Sequence, residues 1–153
     1  MTQLTLSHAA PLTVRLLNST YCTVHAEAEQ LKALTLTLFS TVGSAAICSD
    51  GRIFTGINVF HFSGGPCAEN VALANATAAG VASAMSPGVG DGARLTTIVA
   101  VTNDDRGVIS PCGRCRQMMF DFYPDIQVIV RDGSELRVVG MTDLLPFAYK
   151  RVD

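Results

Sequence analysis

The chain of 153 residues is long enough for one domain with a substantial core, and its 48% hydrophobic and 16% charged residues exclude a disordered protein. Its net charge of −2 provides no basic surface of the kind that nucleic-acid-binding proteins use. No apolar run approaches the roughly 20 residues of a membrane span, so the high mean hydropathy of +0.33 indicates apolar surface at subunit interfaces.

The first third of the chain contains one predicted helix and two predicted strands. Residues 1–20 have no clear hydrophobic period, and we interpret them as a flexible arm or a short helix. Apolar residues recur at helical spacing from Cys22 to Leu36, which predicts the first core helix. Apolar runs over Val42–Cys48 and Arg52–Val59 predict two strands, because the turn signal Ser49-Asp50-Gly51 separates them.

The rest of the chain alternates helices with strands. A helix is predicted from Cys67, a surface loop follows over Gly80–Arg94, and a second helix is predicted to open at Pro111. The remaining predicted elements are strands over Leu95–Val101, Ile126–Val130 and Leu136–Val139 and a last short helix over Thr142–Leu145. This alternation implies an α/β fold, a three-layer α/β/α sandwich with a mixed five-stranded sheet, in a single domain over residues 1–153.

Three cysteines at two places in the chain predict a metal site. Cys112 and Cys115 form a C-x-x-C pair, a spacing that lets two sulfurs reach one tetrahedral ion, and Cys67 completes a three-sulfur site. Three protein ligands leave a fourth position open for water, which is typical of catalytic zinc. Glu69 follows Cys67 by two residues, where its carboxylate would move protons to and from that water.

The C-x-E of Cys67 and Glu69 and the P-C-x-x-C of residues 111–115 resemble the zinc signature of the cytidine deaminase superfamily. The resemblance extends over residues 42–149 and is closest to the blasticidin-S deaminases. Its matching segments are Ser49–Gly56, Asn58–Gly65, Ser110–Gln117 and Leu144–Pro146. It implies a cytidine deaminase-like fold, a Zn²⁺ cofactor held by the three cysteines, Glu69 as the catalytic residue and a homotetramer.

The resemblance also implies the reaction, hydrolytic deamination of the cytosine ring of a small nucleoside. Asn58 matches the residue that positions the substrate. Phe60 stands where the cytidine deaminases have the carboxylate that binds ribose. The arginine that usually follows the catalytic Glu is replaced by Asn70 in this chain, and Arg114 inside the C-x-x-C takes over its place. These two changes favour blasticidin S as the substrate and antibiotic resistance as the role. The alternative is a cytidine or deoxycytidine deaminase of pyrimidine salvage.

Three further residues are candidates for contacts with the substrate. Tyr149 matches tail residues that line the pocket in the superfamily, although a plain surface aromatic would give the same pattern. His61 lies between two phenylalanines, where either packing or substrate contact is consistent with the sequence. Arg106, which precedes Cys112 by six residues, would favour an anionic sugar, and so would Arg114 within the C-x-x-C. Arg151 stands where the blasticidin-S deaminases have a further aromatic residue.

Two other classes of function stay open on the sequence alone. A polynucleotide deaminase would need a basic stripe for the strand to follow, and the composition disfavours it. A non-catalytic zinc module would use the cysteines for stability alone, and a Glu69→Gln change would leave such a module unaffected.

The cysteine content also bears on the compartment. Cys22 and Cys48 are the only pair left for a disulfide once three cysteines are assigned to the metal, and we interpret both as buried apolar residues. The first twenty residues lack the pattern of a secretory signal. A reducing cytoplasm is therefore the predicted location.

Overall fold

The computed structural model describes residues 23, 26–30, 41–103 and 106–150. The predicted arm over residues 1–20, the cysteine at position 22 and the arginine at position 151 lie outside this part of the chain. Of the predicted first helix, residues 23 and 26–30 are described, and they are helical.

The described elements form one mixed sheet flanked by helices. The strands are β1 (Val42–Cys48), β2 (Ile53–Ile57), β3 (Leu95–Thr102), β4 (Val108–Ile109), β5 (Gln127–Asp132) and β6 (Glu135–Gly140). The helices that follow residue 41 are α1 (Ala68–Ala78), α2 (Gly113–Phe122) and α3 (Met141–Leu144). The strand order is β2-β1-β3-β5-β6, and β4 pairs with β3. β3 and β5 are parallel, whereas the other pairs are antiparallel.

The predicted α/β fold with a mixed sheet is confirmed, but the sheet has six strands rather than five. The additional strand, β4, is only two residues long, which is too short to produce an alternating pattern in the sequence. β1 pairs along the whole of β3, while β5 and β4 share the opposite edge of β3. This arrangement places the segment that leads into Cys112 directly beside the centre of the sheet.

Alternating side chains of β3 supply the cores of the two faces. Ile98 packs with Leu73 of α1 and Met119 of α2, all at most 4% exposed. Val99 and Val101 point to the other face and pack with the fully buried Ala28 of the helical segment 26–30. Helices therefore cover both faces of the sheet, and this layering agrees with the predicted three-layer sandwich.

The surface loop over Gly80–Arg94 is confirmed, and Arg52 anchors it to the rest of the chain. The Arg52 guanidinium forms ion pairs with Asp50 and Asp91 and donates a hydrogen bond of 3.2 Å to the carbonyl oxygen of Ala79. Positive charge at this carbonyl is favourable because Ala79 lies at the C-terminal end of α1. The loop is thus fastened at the end of α1 that is farthest from Cys67.

Among the described residues, none of the helices combines the length and the apolar character needed to cross a membrane.

Candidate active site

The N-terminal ends of α1 and α2 carry the three predicted metal ligands. Cys67 is the N-cap of α1 and Cys112 the N-cap of α2, both with extended backbone, and Cys115 lies in the first turn of α2. α2 therefore begins two residues later than predicted, because Pro111 precedes the N-cap instead of occupying the first turn. Free N–H groups and the positive end of the helix dipole favour thiolates at both places.

The three sulfur atoms are close enough to share one ion. The Sγ atoms of Cys67 and Cys112 are 3.7 Å apart, those of Cys112 and Cys115 are 3.5 Å apart, and all three lie within 4.8 Å of one another. Zn–S bonds of about 2.3 Å in tetrahedral geometry separate neighbouring sulfurs by about 3.8 Å. The donor set and its spacing therefore fit a zinc ion with three thiolate ligands and an open fourth position.

Burial and the neighbouring groups change the pKa values of two of the thiols. Burial and the nearby charges of Glu69 and the other two cysteines raise the pKa of Cys115. Burial acts in the same direction on Cys112, but the backbone N–H of Cys115 and the neighbouring thiols outweigh it and lower the pKa of Cys112. Three thiolates in so small a space repel one another, and a bound metal ion would neutralise this repulsion. A thiol that coordinates a metal loses its proton.

Arg114 supplies positive charge beside this cluster. Its Nη2 donates a hydrogen bond of 2.8 Å to the carbonyl oxygen of Gly65 and contacts the Sγ of Cys67 at 3.5 Å. The contact with Cys67 raises the pKa of the guanidinium. Positive charge at this place would offset part of the negative charge of the thiolates and would make a bound metal a stronger Lewis acid.

Glu69 lies within the same cluster and is almost completely buried. Its side chain is 5% exposed and lines the pocket described below. Burial raises its pKa, while its own backbone N–H, the Cys115 thiol and the charge of Arg114 oppose this rise. A buried carboxyl group beside the three thiols is in the position that a general acid and base would need.

A small pocket with a volume of about 170 Å³ opens beside Cys67 and Cys112. Its lining residues are Val42, Asn58, Cys67, Ala68, Glu69, Ile109, Ser110 and Cys112. Val42, Ile109 and Ser110 were not predicted as site residues. Ser110 could have been predicted, because it lies within the motif around Cys112. Val42 and Ile109 could not, because only the pairing of β1 and β4 with β3 brings them to the pocket.

Asn58 lines the pocket and also fixes the start of β1. Its Oδ1 accepts hydrogen bonds of 2.8 Å from the backbone N–H groups of Thr41 and Val42. Asn58 therefore has a structural role, since the same side chain determines where this wall of the pocket lies, while its role in substrate positioning stays a prediction.

Arg114 and four other predicted contact residues do not line this pocket in the described chain. Phe60 and Tyr149 are 65% and 73% exposed, and His61 and Arg106 are exposed as well. The His61 ring bonds to Ser63 and stacks against Phe62, so it has packing partners within its own loop. Contact of these five residues with a substrate stays a prediction.

A larger cavity, of about 340 Å³, lies beneath the loop that follows α1, between residues 82–88 and the segment 122–126. It contains none of the predicted site residues. Size alone therefore does not identify the site, and we place the chemistry at the smaller pocket because the thiols and Glu69 are there.

Comparisons with known proteins agree with this site. Residues 17–130 match the family described as the cytidine and deoxycytidylate deaminase zinc-binding region. A cytidine deaminase of Mycobacterium tuberculosis (strain H37Rv) is 37% identical over 111 residues, which are 71% of each chain. A blasticidin-S deaminase of Bacillus cereus is 32% identical over 119 residues, which cover 72% of this chain and 77% of the relative.

Solved structures show the same likeness. The crystal structure of cytidine deaminase from Burkholderia pseudomallei superposes with a TM-score of 0.68 at 29% identity, covering 84% of this chain and 98% of that one. Because the family model matches most of the chain and the three thiols are spaced for a metal ion, the chain belongs to the zinc-binding cytidine and deoxycytidylate deaminase family.

Proposed function

We propose that this protein hydrolytically deaminates the cytosine ring of a small nucleoside and that blasticidin S is its preferred substrate. The observation that carries the proposal is the buried carboxylate of Glu69 beside three thiols spaced for zinc. The family match and the relatives named cytidine deaminase and blasticidin-S deaminase support the reaction class.

The residues of the pocket would divide the work of the reaction. Zinc held by the three thiolates would supply a Lewis acid that lowers the pKa of a water molecule. Glu69 accepts a proton from the attacking water and donates it to N3 of the ring while the water oxygen bonds to C4. Glu69 then takes the proton of the new C4 hydroxyl and passes it to the amino group, the C4–N bond breaks, ammonia leaves and a uracil ring remains. Cys67, Cys112 and Cys115 would hold the metal throughout.

The size of the pocket bears on how the substrate lies. At about 170 Å³ it is smaller than the roughly 300 Å³ at which ordinary ligand pockets begin. A pyrimidine ring fits such a space, and the sugar then extends outward. The exposed residues Phe60 and Tyr149 are the candidates for contacts with that sugar.

Phe60 carries the argument for blasticidin S. A phenyl ring cannot accept the hydrogen bonds of a ribose hydroxyl, and it does not repel the carboxylate that the sugar of blasticidin S bears. Arg106 and Arg114 add positive charge that favours an anionic sugar. The second candidate is cytidine or deoxycytidine, because the other relatives cited are named cytidine deaminase.

Kinetics with both compounds test this choice. We expect kcat/KM for blasticidin S to exceed kcat/KM for cytidine. Phe60→Glu should shift the ratio of these two values toward cytidine by about ten-fold, because the new carboxylate would accept hydrogen bonds from ribose and repel the anionic sugar. Phe62→Glu is the matched control, since it places the same charge two residues away on a side chain that is 92% exposed. A wild-type preference for cytidine, or a ratio that Phe60→Glu leaves unchanged, contradicts the choice of blasticidin S.

The protein is further proposed to act as a homotetramer in the cytoplasm. Large apolar side chains that lie exposed on the described chain support association: Val59, Phe60, Phe62, Phe147 and Tyr149. The free thiols of Cys48, Cys67, Cys112 and Cys115 are consistent with a reducing compartment. Light scattering is expected to give about four times the 16.2 kDa chain mass, and a monomer at micromolar concentration would contradict the tetramer.

A further inference from the structure

The backbone of β2 touches the backbone of α1 at Gly56. A Cβ atom built on this glycine would lie 2.5 Å from the carbonyl oxygen of Ala68, 2.6 Å from the backbone nitrogen of Ala72 and 2.8 Å from the Cβ of Val71. Non-bonded carbon atoms in ordinary contact are separated by about 3.5–4.0 Å. Gly56 does not have a positive φ. The neighbouring helix, rather than the backbone conformation, therefore excludes a larger residue here.

The contact falls on the turn of α1 that carries Glu69. In an α-helix the N–H of Ala72 bonds to the carbonyl oxygen of Ala68, and a Cβ at position 56 would press against both of these atoms. Glu69 lies inside this turn, and Cys67 is its N-cap. Because the two atoms belong to the helix backbone, a side chain at position 56 would displace the whole turn, by about 1 Å.

Both partners of this contact also form walls of the small pocket. On the helix side, the lining residues are Cys67, Ala68 and Glu69. On the strand side, Asn58 lines the pocket two residues after Gly56. The two walls therefore meet at this glycine, and the distance between them depends on how closely the helix lies against the strand.

Hydrogen bonds on either side of Gly56 hold the same two segments together. Nδ2 of Asn75, on α1, donates a hydrogen bond of 2.8 Å to the carbonyl oxygen of Thr55. The N–H of Val59 donates one of 3.1 Å to the carbonyl oxygen of Pro66, in the segment that leads into α1. A local shift of the strand alone would break these bonds, so a bulkier residue at position 56 has to move the helix.

We propose that Gly56 is a positioning residue for the reaction, which lets β2 touch α1 and thereby sets how far the carboxylate of Glu69 reaches into the pocket. The inference rests on the proposed function, because it takes Glu69 as the acid and base. Gly56 itself touches no reacting atom. A misplacement of about 1 Å can cost on the order of 100-fold in rate, so the effect of one added methyl group should fall on the chemical step.

A purely structural role for Gly56 is the competing explanation, because overpacking of a buried position also lowers stability. Two controls separate the explanations. Ile129→Val shortens a side chain that is 1% exposed on the opposite face of the sheet, so it should lower the unfolding temperature and leave kcat unaltered. Gly140→Ala adds the same methyl group where its nearest neighbour, Nε2 of Gln127, is 3.9 Å away, and it should leave kcat unaltered as well.

The test is Gly56→Ala, assayed with zinc in excess so that a change in metal affinity does not lower kcat. We expect kcat to fall about 30-fold with KM within about three-fold of wild type, while the circular dichroism spectrum stays the same. Gly56→Val should lower kcat further, because a larger side chain displaces the turn farther. An unchanged kcat in Gly56→Ala, or an equal loss of kcat in Ile129→Val, would overturn the inference while the proposed function stands.

If Gly56→Ala fails to fold, Asn75→Ala tests the same packing without adding atoms. It removes the hydrogen bond to Thr55 that holds α1 against β2. Alanine is the better helix former, so a loss of rate would not come from a weaker helix. We expect kcat to fall about three-fold, and an unchanged kcat would overturn the inference.

A double-mutant cycle decides whether Gly56 acts through Glu69. Glu69→Gln removes the acid and base but fills the same space, so adding Gly56→Ala to it should lower the residual kcat by less than about three-fold. A further loss of about 30-fold in the double variant would overturn the inference and leave the proposed function standing. A wild type that deaminates no cytosine compound would instead overturn the proposed function, and the positioning role of Gly56 with it.

Discussion

Glu69→Gln is expected to lower kcat by at least about 100-fold while the protein keeps its fold and its zinc, because general acid–base transfer contributes about 10²–10⁴-fold and one group here serves several steps. Glutamine has the same shape and fills the same buried space, but it neither accepts nor returns a proton. Steady-state kinetics together with metal analysis and circular dichroism measure the effect.

The control for this change is Glu135→Gln, which removes an exposed carboxylate on β6. It should leave kcat unaltered. Retention of more than about a tenth of the wild-type rate by Glu69→Gln would show that Glu69 is not the acid and base of the reaction, since proton transfer of this kind contributes far more. An inactive wild type that binds zinc and is indifferent to Glu69→Gln would instead indicate a structural zinc module.

Cys112→Ala is expected to abolish zinc binding, which should be about one ion per wild-type chain, and to reduce deamination to background. Cys112 lies between the other two sulfurs, 3.7 Å from one and 3.5 Å from the other. Its loss leaves two ligands on different helices. The unfolding temperature should fall too, because metal binding contributes to folding free energy. Zinc per chain, measured on freshly purified protein, gives the answer.

Cys48→Ala is the matched control for the thiol, because Cys48 is a buried free cysteine outside the three-sulfur cluster. It should keep the full zinc content and lose only the modest stability that a small cavity removes. Full retention of zinc in Cys112→Ala would contradict the assignment of the metal site.

The sequence was sufficient for features that arise from local patterns. The apolar run of β1 and the turn after it, with Gly51 at a φ of +90°, were predicted at their observed positions. The two helix starts at Cys67 and Cys112 were predicted to within two residues, because proline, glycine and the C-x-x-C spacing are local signals. These same local signals predicted the three cysteines that the structure brings together, and they made Glu69 the candidate acid and base.

The features that the sequence did not predict depend on contacts between distant residues. The strand β4 exists only because β3 offers an unpaired edge next to β5. The bonds of Gln117 to Tyr149 join residues 32 positions apart, and those of Asn58 to Thr41 and Val42 cross between elements. Side-chain-to-backbone bonds of this kind leave no hydrophobic period, so neither the bonds between Gln117 and Tyr149 nor the pocket wall at Ile109 could be inferred from patterning.

The most direct test of the central claim is the mass of the product formed from a cytosine nucleoside in water labelled with a heavy oxygen isotope. Zinc-loaded wild-type protein should convert blasticidin S or cytidine to the corresponding uracil compound, with one labelled oxygen at C4 and one ammonia released per turnover. Removal of zinc by a chelator should stop the reaction, and restored zinc should restart it. Unchanged substrates, or a product without the label, would contradict the account of a zinc-dependent hydrolytic deaminase.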